Sequence, residues 1–149
     1  MGVAGYQYAG VLAHEVGDKR YELSNHLGNV LQVVRDAKLP QLNGSGNLDY
    51  YLADVESFSD YYPYGMQLTG MHGTESSDGY RYGFQNQERD DELKGAGNSL
   101  NYKYRMHDPR LGRFFAIDPL AAKYPHNSPY AFSENVVIDH VELEGLEKE

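Results

Sequence analysis

The run Tyr102-Lys103-Tyr104-Arg105-Met106-His107-Asp108-Pro109-Arg110-Leu111-Gly112-Arg113-Phe114-Phe115-Ala116-Ile117-Asp118-Pro119 constrains the fold more than any other part of the chain. Its middle, Asp108 to Gly112, has the chemistry of a tight turn: Asp first, Pro109 fixing φ at the second position, Gly112 at the exit. The flanks, residues 100–106 and 113–117, are rich in Tyr, Phe and Ile, which suit a pleated, half-buried surface. Asp118-Pro119 then stops the return strand, because proline has no N–H to give to a ladder. A β-hairpin is expected, with a charged residue towards each end, Arg105 and Asp118.

The rest of the chain repeats this design less regularly. Residues 20–24 and 30–35 form a second expected hairpin around His26-Leu27-Gly28-Asn29, where Gly28 tolerates positive φ. Strands are expected over residues 5–16, 48–55, 80–84 and 136–143, and an aromatic edge with a turn over 58–68. Residues 38–47 (Pro40, Gly44, Ser45, Gly46) read as a loop, and 69–79 as a mobile, polar, glycine-rich one. Residues 85–94 and 120–123 have room for no more than a turn of helix or a loop. The apolar share leans on 14 Tyr, with no Trp and no Cys, and 16 Gly supply the turns. Tyrosine buries area while keeping a polar tip, as a strand with one wet face requires. The fold class is therefore all-β, a tyrosine-rich array of hairpins with short helical turns and loops. At 149 residues it is one domain's length. An array of this size leaves strand edges open, so homo-oligomerisation through them is expected.

Several function classes are excluded. A net charge of −9 with scattered basic residues argues against nucleic-acid binding. With no Cys there is neither a disulfide framework nor a thiolate metal site. His14, His26, His72, His107, His126 and His140 lack zinc-ligand spacing, and Asp90-Asp91-Glu92 lacks that of a calcium loop, so no metal and no cofactor are expected. Residues 1–16 lack the basic start and apolar run of a signal peptide, Tyr6 spoils a myristoylation signal, and no stretch reaches the length of a membrane span.

Taken together, Tyr104-Arg105-Met106-x-Asp108-Pro109-x-x-Gly112-Arg113-Phe114-x-x-x-Asp118-Pro119-Leu120 and the following Tyr124-Pro125, Ser128-Pro129-Tyr130-Ala131-Phe132 and Asn135 resemble the RHS repeat-associated core domain. That domain ends the Rhs/YD-repeat shell of bacterial polymorphic toxins and of the C component of Tc toxin complexes. The resemblance reaches upstream through Tyr21-Glu22-Leu23-Ser24-Asn25-His26-Leu27-Gly28-Asn29-Val30 and the segment from Tyr80 to Glu92, covering about residues 20–146. It implies a YD-repeat-like sheet forming part of an Rhs shell, organised as an N-terminal lead-in (1–19), YD-repeat-like hairpins (20–79), the RHS core (80–146) and an acidic tail (147–149) without a toxin domain. It implies as partners the rest of such a shell, or a C-terminal toxin in a full-length relative, and a family that is typically secreted or at the cell surface.

The resemblance also implies chemistry. Family members cut themselves after a DPxGL-type motif, which places the cleavage site at Gly145-Leu146, with the cut following Leu146. The family's Arg falls on Arg105 and its second Asp-Pro aspartate on Asp118. The carboxylate of the terminal motif falls on Glu142, with Leu143 in the proline's place, and Asp139 is the alternative second carboxylate. A guanidinium beside an aspartate favours the charged form, and a second carboxyl group lets one act as base while the other donates. The competing reading of Arg105 and Asp118 is an ordinary cross-strand ion pair. At the level of function the rivals are an inactive remnant serving as a structural or interaction module, and an adhesion or carbohydrate-binding module using exposed tyrosines such as Tyr61, Tyr62 and Tyr64.

Overall fold

The computed structural model describes residues 16–75 and 80–148. The strand expected over 5–16 lies, Val16 apart, outside them. The chain first builds a four-stranded antiparallel meander from β1 (Arg20–Ser24), β2 (Val30–Leu42), β3 (Leu48–Tyr61) and β4 (Gln67–Thr74), in that order. Its first two turns use one device. Asn25 Oδ1 accepts from the backbone N–H groups of Leu27 and Asn29 at 3.0 and 3.1 Å. Asn43 Oδ1 does the same for Ser45 and Asn47, both at 3.0 Å. An Asn side chain that mimics a backbone turn in this way fixes where a strand reverses.

The loop expected over 38–47 is thereby cut to its second half. β2 runs through Pro40, which lies opposite Tyr51, to Leu42. Proline is tolerated there because β1 pairs β2 only as far as Arg35, so beyond that point β2 is an edge. Likewise β4 (Gln67–Thr74) takes up residues 69–74 of the stretch expected to be mobile, while residues 76–79 of it lie outside those described.

A second four-stranded antiparallel sheet follows: β5 (Glu88–Arg89), β6 (Leu100–Asn101), β7 (Met106–Asp108) and β8 (Arg113–Phe114). One helical turn, α1 (Asp91–Lys94), links β5 to β6, with the Asp90 carboxylate accepting from Glu92 N and Leu93 N. A two-stranded ribbon of β9 (Glu142–Leu143) and β10 (Glu147–Lys148) closes the chain. The fold is thus all-β, with short helical turns.

Three strand expectations are corrected here. Residues 80–84 are not a strand: only Tyr82 makes a β-bridge, to Glu88, and Phe84 opens a 3-10 turn. Residues 100–106 are not one strand: Tyr102 buries its ring in the core, the chain turns, and Tyr104 N donates to Glu144 O at 3.0 Å before β7 starts. Residues 136–143 are not one strand either, because a turn in which His140 N donates to Val136 O at 3.2 Å precedes the two-residue β9.

Between the sheets lies an aromatic core of Phe84, Leu100, Tyr102, Phe114, Phe132 and Val137, flanked by Tyr61 and Tyr64. Phe84 and Phe132 enter it in the same way. Each stands at the head of a 3-10 turn, Phe84–Asn86 and at residues 132–135, whose following residues take left-handed φ: Gln85 (49°) and Asn86 (55°), then Ser133 (43°), Glu134 (49°) and Asn135 (65°). Non-glycine residues pay steric strain in that region, so the surrounding packing must hold them there. The reward is positional: each turn drives a phenylalanine inward and buries the next side chain, Gln85 or Ser133, just behind it.

Candidate functional site

The interruption of the central hairpin decides where Arg105 goes. Because the chain turns between β6 and β7, Arg105 leaves the solvent face and is 4% exposed. Its guanidinium lies 3.9 Å over the Phe114 ring, a cation–π contact. Nη1 donates to Pro129 O at 3.2 Å, Nη2 is 3.0 Å from Asp118 Oδ2, and Nε donates to Gly145 O. Burial pulls the guanidinium's affinity for its proton down, and Asp118 and then Glu142 push it back up. Asp118 is fixed from its other side, Oδ1 accepting from Leu120 N at 2.7 Å. The Asp-Pro that ends the hairpin therefore also orients this carboxylate.

Glu142 reaches the same guanidinium from the closing ribbon, Oε1 lying 3.9 Å from Arg105 Nη2. Two carboxyl groups thus share one nitrogen. Their surroundings differ: the Asp118 side chain is 14% exposed and that of Glu142 is 2% exposed. Glu142 Oε2 accepts from Ser133 N at 2.6 Å, and Glu142 N donates to Gln85 Oε1 at 3.1 Å. Burial raises the Glu142 carboxyl from 4.5 to about 7, against the opposing pull of Ser133 N–H and Arg105. Near neutral pH it therefore exists in both protonation states, as a group that must first take and then give a proton requires.

The tail arrives at this cluster through a tight turn. Glu144 (φ 53°) and Gly145 (φ 84°) form its centre, and Leu146 N donates to Leu143 O at 2.9 Å. Consecutive positive φ values are the mark of hairpin turns that match strand twist. Gly145 is required for a second reason. A Cβ built there would stand 3.0 Å from Tyr102 Cβ and 3.2 Å from Arg105 N, so only glycine lets the turn press this close. The carbonyl that Arg105 grips belongs to Gly145, one peptide bond before the expected cut.

Arg105, Asp118, Glu142, Gly145 and Leu146 are thus gathered within one corner of the fold. Asp139 is not. It is exposed, sits in the turn before β9 and forms no ion pair with Arg105 among the described residues. Of the two candidate second carboxylates, Glu142 lies beside Arg105 and Asp139 does not, because the turn that replaces the expected strand leaves residue 139 exposed. Asp108, Pro109 and Gly112 form the neighbouring turn. Asp108 Oδ1 accepts from Arg110 N at 3.0 Å, its Oδ2 is 3.1 Å from Lys94 Nζ and from Arg110 Nη2, and Gly112 N donates to Asp108 O at 2.9 Å. Despite burial, these donors hold the Asp108 carboxyl down at about 2. The tyrosines considered for sugar stacking are also corrected: Tyr61 and Tyr64 pack against the core, and of the three only Tyr62 is largely exposed, at 45%.

Nothing in the sequence motifs singles out Gln85 and Ser133. Both touch Glu142 because left-handed turns bury them, and such φ values in a Gln or Ser follow from tertiary packing. The faint signal is the asparagine that ends each turn, Asn86 and Asn135, since Asn is enriched in that region.

Chains of known kind bear on the fold. No family model matches the chain. Over 102 residues it is 30% identical to Salivary gland surface protein 1 of Aedes aegypti, taking in 68% of this chain and 3% of that protein. In three dimensions it is similar to part of the crystal structure of TcdB2-TccC3-Cdc42, a Tc toxin complex, with a TM-score of 0.60 and 20% identity over 85% of this chain and 5% of that one. The chain thus spans only a small fraction of the length of either.

Proposed function

We propose that this chain is the closing segment of a Tc/Rhs-type toxin shell and that its terminal turn is the substrate of its own carboxyl-dependent hydrolysis. The observation that carries this reading is that the Arg105 guanidinium meets Asp118, Glu142 and the carbonyl of Gly145 at once. The fold likeness to a segment of a Tc toxin complex supports the shell role, and the buried guanidinium with two unlike carboxyl groups supports the chemistry.

In this reading the ionised Glu142 carboxylate takes a proton from water as the water oxygen bonds to the Leu146 carbonyl carbon. The protonated Glu142 then returns that proton to the Glu147 nitrogen as the C–N bond breaks, leaving a carboxyl group on Leu146 and an amine on Glu147. Arg105 pins the turn through the Gly145 carbonyl and keeps Asp118 in place. Intact-mass measurement of the purified chain after incubation between about pH 5 and 8, the span in which Glu142 titrates, tests this directly. The expected product ends at Leu146, forms faster as pH rises through 7, and is absent in Asp118→Asn. A product ending at Gly145 would move the cut to the carbonyl that Arg105 holds. A chain that stays whole throughout overturns the hydrolytic part and leaves a structural or surface module, a reading the mosquito surface protein favours.

A further inference from the structure

Three buried polar atoms, on residues that bond directly to Glu142 or belong to it, have no hydrogen-bond partner among the described residues: Glu142 Oε1, Gln85 Nε2 and Ser133 Oγ. They belong to residues joined by direct bonds. Gln85 Oε1 accepts from both Tyr102 Oη (2.8 Å) and Glu142 N (3.1 Å), which fixes the amide and leaves its NH2 group facing away from them. Glu142 Oε2 is taken by Ser133 N, which leaves Oε1 as the carboxyl group's open acceptor. The Ser133 hydroxyl lies near enough to that carboxyl to lower its proton affinity, yet makes no well-formed hydrogen bond to it. One amide donor, one hydroxyl and one carboxyl oxygen, on three residues joined by direct hydrogen bonds, therefore stand without a hydrogen-bond partner among the described residues.

Leaving such atoms unmatched in a packed interior is costly, because each has given up its bonds to bulk water. Buried water typically makes two to four hydrogen bonds to groups of this kind. We propose that Gln85 Nε2, Ser133 Oγ and Glu142 Oε1 together seat a buried water molecule, and that Gln85 and Ser133 are positioning residues which hold it for Glu142. Gln85 donates to the water oxygen, and the water donates to Glu142 Oε1. Ser133, with a rotating hydroxyl, accepts from or donates to the water according to the protonation state of Glu142. The charged and titratable groups around the seat are Glu142 itself, Arg105, Asp118 and Tyr102. Arg105 and Asp118 are already bonded to each other, and the Tyr102 hydroxyl is committed to Gln85. The left-handed strain at Gln85 and Ser133 has a purpose here, since both turns exist to aim these side chains inward. This inference rests on the hydrolytic reading only for what the water does; the seat itself stands independently.

The test has two arms. A crystal structure of the full Asp118→Asn chain, at a resolution that shows ordered solvent, should place a water within about 3.2 Å of all three atoms. Direct bonds among the three atoms with no water between them overturn the seat, whether or not the chain cleaves itself. In the second arm, the Glu142 carboxyl is titrated by carbon-13 NMR in Asp118→Asn and in Asp118→Asn with Ser133→Ala. Loss of the hydroxyl should move the carboxyl's midpoint to higher pH, with or without a water between the two groups, so this arm tests that Ser133 faces the carboxyl; an unchanged midpoint overturns the positioning claim. In the otherwise native chain, Ser133→Ala and Gln85→Leu should slow cleavage by roughly 10- to 100-fold. Gln85→Leu also removes two hydrogen bonds, so Ser133→Ala is the deciding variant. Absence of cleavage with the water present would sink the hydrolytic reading and keep the seat.

Discussion

Replacing Glu142 with Gln isolates one physical effect. Glu142 is 3% exposed, and burial raises its carboxyl from 4.5 to about 7. In the unfolded chain the group titrates near its ordinary value, so between these two limits the folded state binds the proton more tightly. The contribution to stability is therefore fully present below about pH 4.5 and is lost as pH rises through 7. At 1.36 kcal/mol per tenfold change in proton affinity, the loss amounts to about 3 kcal/mol. Gln keeps an oxygen to accept from Ser133 N and cannot ionise. Glu142→Gln should accordingly match the parent near pH 4.5 and exceed it by up to about 3 kcal/mol at pH 8. Urea denaturation of Asp118→Asn and of Asp118→Asn with Glu142→Gln, both expected to stay whole, at a series of pH values measures this. Comparing the two proteins at each pH cancels the titration of every other group. A stability difference that does not change with pH would refute the assignment of a raised carboxyl to Glu142, and a Gln variant weaker at pH 8 would show that the Arg105 pair outweighs burial.

Two further perturbations test the frame around the site. His107 is fully buried, stacked 4.0 Å from Phe132 with Nε2 2.9 Å from Tyr64 O, and burial pushes it down to about 4. Its neutral form is favoured in the fold, so its contribution is whole above pH 6.5 and is lost as pH falls towards 4; His107→Gln should flatten that acid limb in a denaturation series, and an unchanged limb would mean another group is responsible. Gly65 turns β3 into β4 at φ 91°, and a Cβ there would stand 2.6 Å from the Phe84 ring. Gly65→Ala should cost at least about 1–3 kcal/mol, read as a lowered denaturation midpoint, and a neutral result would show that the Phe84 turn can move.

Much of the fold was legible because local chemistry dictates it. Asn25-x-x-Gly28-Asn29 and Asp108-Pro109-x-x-Gly112 name their own turns, and each bonds its own backbone as that chemistry requires. Strand alternation failed where a side chain's destination was set from afar. Tyr102 breaks its strand because Phe114 and Phe132 take its ring. Pro40 failed as a loop marker because whether a strand position is an edge depends on where β1 stops. Arg105, Asp118 and Glu142 could be named as candidates, but nothing in their spacing decides between Asp139 and Glu142, nor that the Glu144-Gly145 turn lies beneath the guanidinium.

The amino-acid sequence by itself determined the all-β class, the hairpin turns and the residue types that the corner could use, since turn chemistry and side-chain shape act over a few residues. Only the tertiary structure decided which carboxyl group is buried, which backbone carbonyl the arginine grips, and that Gln85 and Ser133 face Glu142. Those outcomes depend on desolvation and on contacts that mostly join distant parts of the chain, Arg105 with Gly145 at 40 positions and Gln85 with Glu142 at 57. Burial is a property of the packed molecule and has no local signature.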